Sequence, residues 1–116
     1  MSRARSAALQ RADDAAAVFA ALGDPTRLRI VGRLSGEGPL SISVLSQDAG
    51  VTRQAVTKHL QALADAGIVH DRWQGRARIF ALEPRRLARA QQYLNVVSAQ
   101  WDTAIARLRA FVEDGA

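Results

Sequence analysis

The chain has 116 residues, no cysteine, and sixteen Lys and Arg against eleven Asp and Glu, a formal charge of +5 at pH 7. This length allows one domain with a modest core and is short for an enzyme with an enclosed site. The absence of cysteine excludes disulfides, thiolate metal sites and cysteine nucleophiles. All but one of the basic residues are arginine, which favours an anionic partner.

The chain begins with a basic stretch, and we predict a flexible tail over residues 1–8. The stretch reaches Arg11, Asp13 and Asp14 before any apolar run, so we read neither a secretory signal nor an anchor there. No segment has the length and apolar character of a membrane span. We therefore expect a cytoplasmic protein with no membrane partner.

Two helices are predicted before residue 40. The first spans Leu9–Leu22 and ends at Gly23, and its apolar residues recur at helical spacing. Those on one side are Ala12, Ala15, Phe19 and Leu22. Asp24-Pro25 begins the second helix, because Asp accepts from free backbone N–H groups and proline is tolerated at the first helical position. We expect that helix to bury Leu28, Val31 and Leu34 and to end at Gly36 and Gly38-Pro39.

Two short amphipathic stretches follow between Ser41 and Val69, joined by a turn at Ala49-Gly50-Val51. The first places Ile42, Leu45 and Ala49 on one face, and the second, capped by Thr52, does the same with Val56, Leu60 and Leu63. This spacing predicts a helix-turn-helix.

The outer face of the second helix carries no carboxylate. Its residues are Gln54, Thr57, Lys58 and Gln61. Lysine pairs with phosphate or guanine, glutamine bonds adenine in two places, and threonine bonds phosphate or touches a thymine methyl. The face therefore suits DNA recognition, although a polar stripe on one helix is also what an ordinary solvated surface looks like.

After Gly67 the pattern changes from helical to extended. Two β-prone runs, residues 68–73 and 76–82, flank Gln74-Gly75, and this spacing predicts a β-hairpin. Arg76 and Arg78 are two residues apart, so we expect them on the same side of the second strand. A basic hairpin directly after a recognition helix is typical of a wing; the alternative is an ordinary antiparallel ribbon with solvated arginines.

One long helix is predicted from Pro84 to about Glu113, with a seven-residue apolar repeat. One series is Leu87, Leu94, Trp101 and Leu108, and the other is Ala90, Val97, Ala104 and Phe111. A helix about 45 Å long overhangs a small domain, so we expect part of the seam to pack on a second subunit and part on the Leu9–Leu22 helix. The predicted dimer interface is Leu9, Leu87, Leu94, Val97, Trp101 and Leu108.

Three stretches of the chain carry a family resemblance. They are FAALGDPTRLRIVGRL at Phe19–Leu34, VTRQAVTKHLQALADAGIV at Val51–Val69, and the glycine-centred RWQGRARIFAL at residues 72–82. The first two are similar to the ALxDPTRLRIL and SQSTVSRHLKVLREAGLV patterns of the ArsR-type winged-helix repressors of bacteria and archaea. The resemblance implies a homodimer that binds an imperfect inverted repeat in its own promoter region and represses it.

The resemblance also implies which side chains contact DNA. The family's recognition residues fall on Thr52, Arg53, Gln54, Thr57, Lys58 and His59, and its wing bases on Arg72, Arg76 and Arg78. His59 lies at the border of the buried face, so a packed, structural histidine is the open alternative at that position.

The sequence departs from the family's metal sensors. Ser41 and Ser43 stand where those sensors carry cysteines, and the long helix has no histidine. Asp102 and Glu113 are eleven residues apart and cannot share an ion within one subunit. We therefore predict no metal site and no cofactor, and a regulator that responds to an unknown small molecule, to a protein, or to its own concentration alone.

The expected fold is mostly α with a small β-hairpin: a winged helix-turn-helix over residues 9–82, and a C-terminal dimerisation helix over residues 83–116 packed on the same domain. The expected function is a sequence-specific transcriptional regulator, a homodimeric repressor that binds an inverted-repeat operator in double-stranded DNA through the helix starting at Thr52 and a basic wing. The alternative is a protein-protein interaction module that uses the long seam and the Trp73 region. We predict no enzyme, because His59 and His70 have no nucleophile or metal spacing and Asp13-Asp14 points to two faces of a helix.

Overall fold

The computed structural model of the protein describes residues 3–114. Over that range the chain forms five α-helices and a three-stranded antiparallel sheet. In chain order the elements are α1 (Arg3–Leu22), α2 (Pro25–Glu37), β1 (Leu40–Ser41), α3 (Ile42–Gln47), α4 (Arg53–Asp65), β2 (Val69–Gln74), β3 (Ala77–Leu82) and α5 (Pro84–Asp114). The predicted fold class, a mostly helical winged helix-turn-helix with a long C-terminal helix, is confirmed.

The first helix begins earlier than the sequence predicted. α1 starts at Arg3, so the flexible tail predicted for residues 1–8 is wrong for residues 3–8, while Met1 and Ser2 lie outside the described residues. Residues 3–10 are exposed, but Ala, Arg, Leu and Gln are strong helix formers. Apolar periodicity marks where a helix packs, and here the helix continues beyond its packed part.

The second helix is capped as predicted but turns a different side inward. The Asp24 side chain accepts a hydrogen bond from Arg27 N at 3.0 Å, and Pro25 occupies the first helical position. Ile30 and Leu34 are buried, whereas Leu28, predicted to be buried, is 55% exposed. The burial of Leu28 was therefore wrong, because α1, α4 and β3 all contact α2 and the packed side centres on Ile30.

Helices α3 and α4 form the predicted helix-turn-helix, each with a hydroxyl cap. Ser41 Oγ accepts from Val44 N at 3.2 Å, and Thr52 Oγ1 accepts from Ala55 N at 3.1 Å. Between them Gly50 has φ +70°, a left-handed conformation that costs glycine little. This turn fixes the angle at which α4 leaves α3.

The hairpin is confirmed, with its turn shifted by one residue. Gln74 pairs with Ala77, so the turn residues are Gly75 and Arg76 rather than Gln74 and Gly75. Arg76 therefore lies in the turn, and its predicted position on the second strand beside Arg78 is wrong. Gly75 has φ +60°, which matches a hairpin turn that needs left-handed backbone.

A two-residue strand completes the sheet. β1 pairs antiparallel with β3, giving the order β1-β3-β2. The sheet covers one side of a single core made by all the helices. Its most completely buried side chains are Val18, Leu45, Val56, Leu60, Leu63, Ile68 and Phe80.

The last helix packs on the body only through its first part. Ala90 is buried, α5 contacts α1, and Arg86 Nη1 lies 3.6 Å from Asp14 Oδ1 across that contact. Every residue from 98 to 114 is exposed, and the molecule is 66 Å long. The helix therefore overhangs the domain as predicted. None of the helices in the described range is both long and apolar enough to cross a bilayer.

Candidate nucleic-acid interface

Helix α4 presents a polar face supported by a fully packed one. Val56, Leu60 and Leu63 are at most 1% exposed, so the helix has little freedom to rotate or tilt. On the other side the predicted recognition residues Arg53, Gln54, Thr57 and Lys58 are all exposed, as is Gln61. The first acidic residue on the helix is Asp65, at its last position.

The threonine hydroxyls on this face also serve the helix itself. Thr52 Oγ1 caps α4, and Thr57 Oγ1 donates to the Arg53 carbonyl oxygen at 2.9 Å. Each oxygen keeps lone pairs, and the Thr52 hydroxyl keeps its proton as a donor. Thr52 can thus donate to a phosphate without giving up its cap, whereas Thr57 offers an acceptor and a methyl group.

His59 occupies a different position from the other predicted contacts. It is half-buried against α2, with its Nδ1 3.5 Å from Arg27 Nη1 and 3.7 Å from Asp24 Oδ2. The pKa of the Asp24 carboxyl lies below its ordinary value, chiefly because it accepts the Arg27 N–H, with positive charge on His59 and Arg27 adding to the effect. These contacts favour the structural reading of His59 over a phosphate contact.

The three predicted wing arginines fall into two groups. Arg72 and Arg76 are exposed, and no ion pair joins either of them to another side chain within residues 3–114. Arg78 is engaged within the wing. Its Nε donates to Asp71 Oδ2 at 2.7 Å, and its guanidinium lies 5.0 Å from the Phe80 ring centroid. The wing therefore offers two unengaged cations rather than three.

Two side chains that shape the site were missed by the sequence analysis. Arg27 Nε donates to the Ala21 carbonyl oxygen at 2.6 Å while Arg27 also lies beside His59, so it joins the ends of α1 and α2 to α4. Asp71 neutralises Arg78. Both the predicted and the observed hairpin registers put Asp71 and Arg78 on one face, and their opposite charges were the available signal.

The comparisons with known proteins agree with this geometry. Residues 22–72 match a helix-turn-helix domain family. Rv2034 of Mycobacterium tuberculosis, an HTH-type transcriptional regulator, is 46% identical over 68 residues, which cover 59% of this chain and 63% of that protein. The solved structure of an ArsR-like transcriptional regulator from Rhodococcus sp. RHA1 has a TM-score of 0.73 and 34% identity, covering 85% of this chain and 92% of that one. The chain belongs to the ArsR family of helix-turn-helix transcriptional regulators.

A second solved structure extends the comparison. The homodimeric winged helix-turn-helix DNA-binding domain of Mb0332 from Mycobacterium bovis has a TM-score of 0.64 and 26% identity, covering 86% of this chain and 89% of that one. The family resemblance of the sequence is thus confirmed. The match of this ArsR-family chain to Rv2034 spans slightly less than two thirds of that protein.

Proposed function

We propose that this ArsR-family protein regulates transcription as a homodimer that binds an inverted-repeat DNA operator. In this proposal α4 enters the major groove and the wing approaches the flanking backbone. Arg53, Gln54, Thr57 and Lys58 read or anchor the duplex, Thr52 contacts a phosphate, and Arg72 and Arg76 extend the contact. Arg78 and His59 are left out, because both are engaged inside the protein.

The observation that carries the proposal is the rigid, acid-free outer face of α4. A face of exposed Arg, Gln, Thr and Lys lies over side chains that are almost completely buried. From Arg53 to Arg78 the chain has five bases and two acids, a balance of +3. One of the two acids, Asp71, is paired within the wing, so the field over this side of the molecule favours a polyanion.

Self-association is supported by a separate surface on α5. Large apolar side chains there are exposed: Leu94, Val96, Trp101, Ile105, Leu108, Phe111 and Val112. All of them except Val96, which lies off the seam, share one side of α5. An apolar surface of this kind is typical of an interaction site, and a two-fold dimer buries it on both subunits at once. Leu9 of α1 is also 51% exposed and belongs to the proposed interface.

Two of the predicted interface residues have a mixed role. Leu87 is half-buried and packs against the chain's own core. Val97 is half-buried and lines the cleft between α1 and α5. The interface we propose therefore rests on Leu9, Leu94, Trp101 and Leu108, with Leu87 and Val97 at its edge.

The surface distribution favours DNA over a purely protein partner. Protein interfaces centre on apolar and aromatic anchors, and the outer face of α4 has none. The exposed apolar residues lie mainly on α5, apart from that face. An effector remains a prediction; a cleft of about 650 Å³ between α1 and α5, bordered by Arg11, Arg86 and Arg89, is a place for one.

The test removes base-reading groups while leaving the fold intact. We expect Gln54→Ala with Thr57→Ala to reduce the preference for a selected operator over random duplex by roughly 10- to 100-fold, because one bidentate base contact, of the kind that Gln54 can make, contributes about 1–3 kcal/mol of discrimination. Competition binding by fluorescence anisotropy measures this ratio.

The matched control is Gln92→Ala with Thr103→Ala on α5. Both residues are exposed, and Thr103 Oγ1 donates to the Ala99 carbonyl oxygen as Thr57 Oγ1 does to that of Arg53. The control is expected to bind like the unsubstituted protein. Unchanged discrimination in the α4 variant would contradict the recognition role.

A further inference from the structure

One large aromatic side chain is exposed on the wing. Trp73 is 68% exposed, the penultimate residue of β2, and directly opposite Arg78 in the hairpin register. A tryptophan at the end of a hairpin leaves an apolar surface in water that folding of this chain does not cover. The residue contributes little to the core, so its apolar surface is available for contact with another molecule.

The register fixes which side of the sheet Trp73 is on. Directly opposed residues share a face, and alternate residues along a strand share it too. Trp73 therefore lies on the same face as Arg78, Asp71 and Phe80. Phe80 is 2% exposed and belongs to the core, while β3 packs on α2 and α3 and β2 contacts α4. Trp73 thus extends the helix-facing side of the wing beyond the edge of the body, into the space next to the helix-turn-helix.

The charges around the indole indicate the chemistry of its partner. Arg76 lies in the adjoining turn, is exposed, and has no ion pair in the part of the chain described, whereas Arg72 lies on the opposite face of β2. Arg78, opposite the indole, is neutralised by Asp71. An apolar ring next to an unengaged guanidinium group at the turn matches a polyanion that also presents apolar surface, which is what deoxyribose and base edges provide between phosphates.

We propose that Trp73 contacts duplex DNA directly, packing its indole into the minor groove beside the site read by α4. This inference rests on the proposed function. An apolar side chain inserted at the minor groove unstacks a base step partly, and flexible pyrimidine–purine steps yield most easily. Trp73 therefore makes operator affinity depend on flanking base steps that α4 does not touch.

The experiment uses Trp73 as its own reporter. Trp101 is the only other tryptophan of the chain, and it is left unchanged because it belongs to the proposed dimer interface. The emission of the wing indole is therefore taken as the difference between the full-length protein and its Trp73→Phe variant. On adding a selected operator duplex we expect its emission to be quenched. In the otherwise unsubstituted protein, Trp73→Ala is expected to weaken operator binding about tenfold, with the salt slope unchanged because no charge is lost. Trp73→Phe is expected to retain most of the affinity.

The outcomes separate this inference from the function on which it rests. If the full-length protein binds the operator selectively but the emission of Trp73 does not change and Trp73→Ala binds equally well, the role of Trp73 is overturned and the proposed function stands. If Trp73→Ala alters sedimentation instead of DNA affinity, the indole contacts a subunit and the inference is equally wrong. Failure of the unsubstituted protein to select any duplex would remove the proposed function itself. Because Trp73 is exposed, an unchanged melting temperature checks that Trp73→Ala is folded.

Discussion

The apolar seam of α5 predicts how strongly dimerisation depends on two exposed side chains. Leu94 is 50% exposed and Trp101 is 65% exposed, so a monomer leaves much of each in water. We expect Leu94→Glu with Trp101→Glu to yield monomers that still fold, since neither side chain belongs to the core.

The magnitude follows from symmetry. Each side chain is buried twice in a two-fold dimer, and a partly exposed Leu or Trp contributes roughly 1.5 kcal/mol per site, the lower end for a buried large apolar residue. Four sites therefore contribute about 6 kcal/mol, which weakens dimerisation by roughly 10⁴-fold. Sedimentation equilibrium measures this directly, and operator binding is expected to fall with it because the two half-sites are no longer engaged together.

The matched control is Val96→Glu. Val96 is 57% exposed and on the same helix, but it lies two residues from Leu94, about 200° around the axis. It therefore introduces a glutamate into an exposed apolar position off the seam, and dimerisation is expected to persist. An unaltered dimer in the double variant, or equal dissociation in the control, would refute the assignment of the seam.

Two further predictions concern the wing and the start of α2. Arg76→Ala is expected to reduce the slope of log affinity against log salt by about two, because each subunit of the dimer loses one phosphate contact. Arg78→Ala is expected to leave the slope unchanged, since Arg78 is engaged by Asp71, and a salt series of anisotropy titrations that found equal losses would contradict this division. The pKa of Asp24 is lower in the folded protein than its ordinary value of 3.8, so its carboxylate stabilises the fold above that pH and the contribution is lost as pH falls through the lowered pKa. Asp24→Asn retains a capping acceptor and is expected to lose less stability than the unsubstituted protein between about pH 5 and pH 2.5, as measured by melting temperature. If the melting temperatures of the two proteins fall in parallel over this range, Asp24 does not contribute to the acid sensitivity of the fold.

Much of the fold could be predicted from the spacing of apolar residues and from the residues that cap helices and form turns. Asp24-Pro25, the glycine turn before Thr52 and the apolar triplet Val56, Leu60 and Leu63 each combine a local preference with a packing pattern, and all three act as expected. At these positions the local conformational preference and the tertiary packing favour the same structure, so the folded protein keeps what the sequence predicts.

The errors arose where only tertiary contacts decide. Leu28 and Ile30 are equally apolar, and the choice between them depends on which side of α2 the neighbouring elements cover. Strand β1 has two residues, too few for any periodicity, and exists through its pairing with β3. Helix α1 extends to Arg3 through exposed residues of high intrinsic helix propensity.

The sequence predicted which side chains of the candidate site are exposed, but not which of them are held by contacts within the protein. The outer residues of α4 follow from helical geometry, and they are exposed as expected. The contacts of His59 with α2 and of Arg78 with Asp71 depend on the packing of separate elements and on hairpin register. Residue type alone therefore overstated the number of side chains available to DNA.

The most direct measurement is the sequence of duplexes that the unsubstituted protein retains from a random pool. The account predicts an enriched inverted repeat whose half-sites are centred about 10–10.5 base pairs apart, because two α4 helices related by a two-fold axis meet successive major grooves on one side of the duplex. A pool without enrichment, or enrichment of a single site lacking two-fold symmetry, would contradict it.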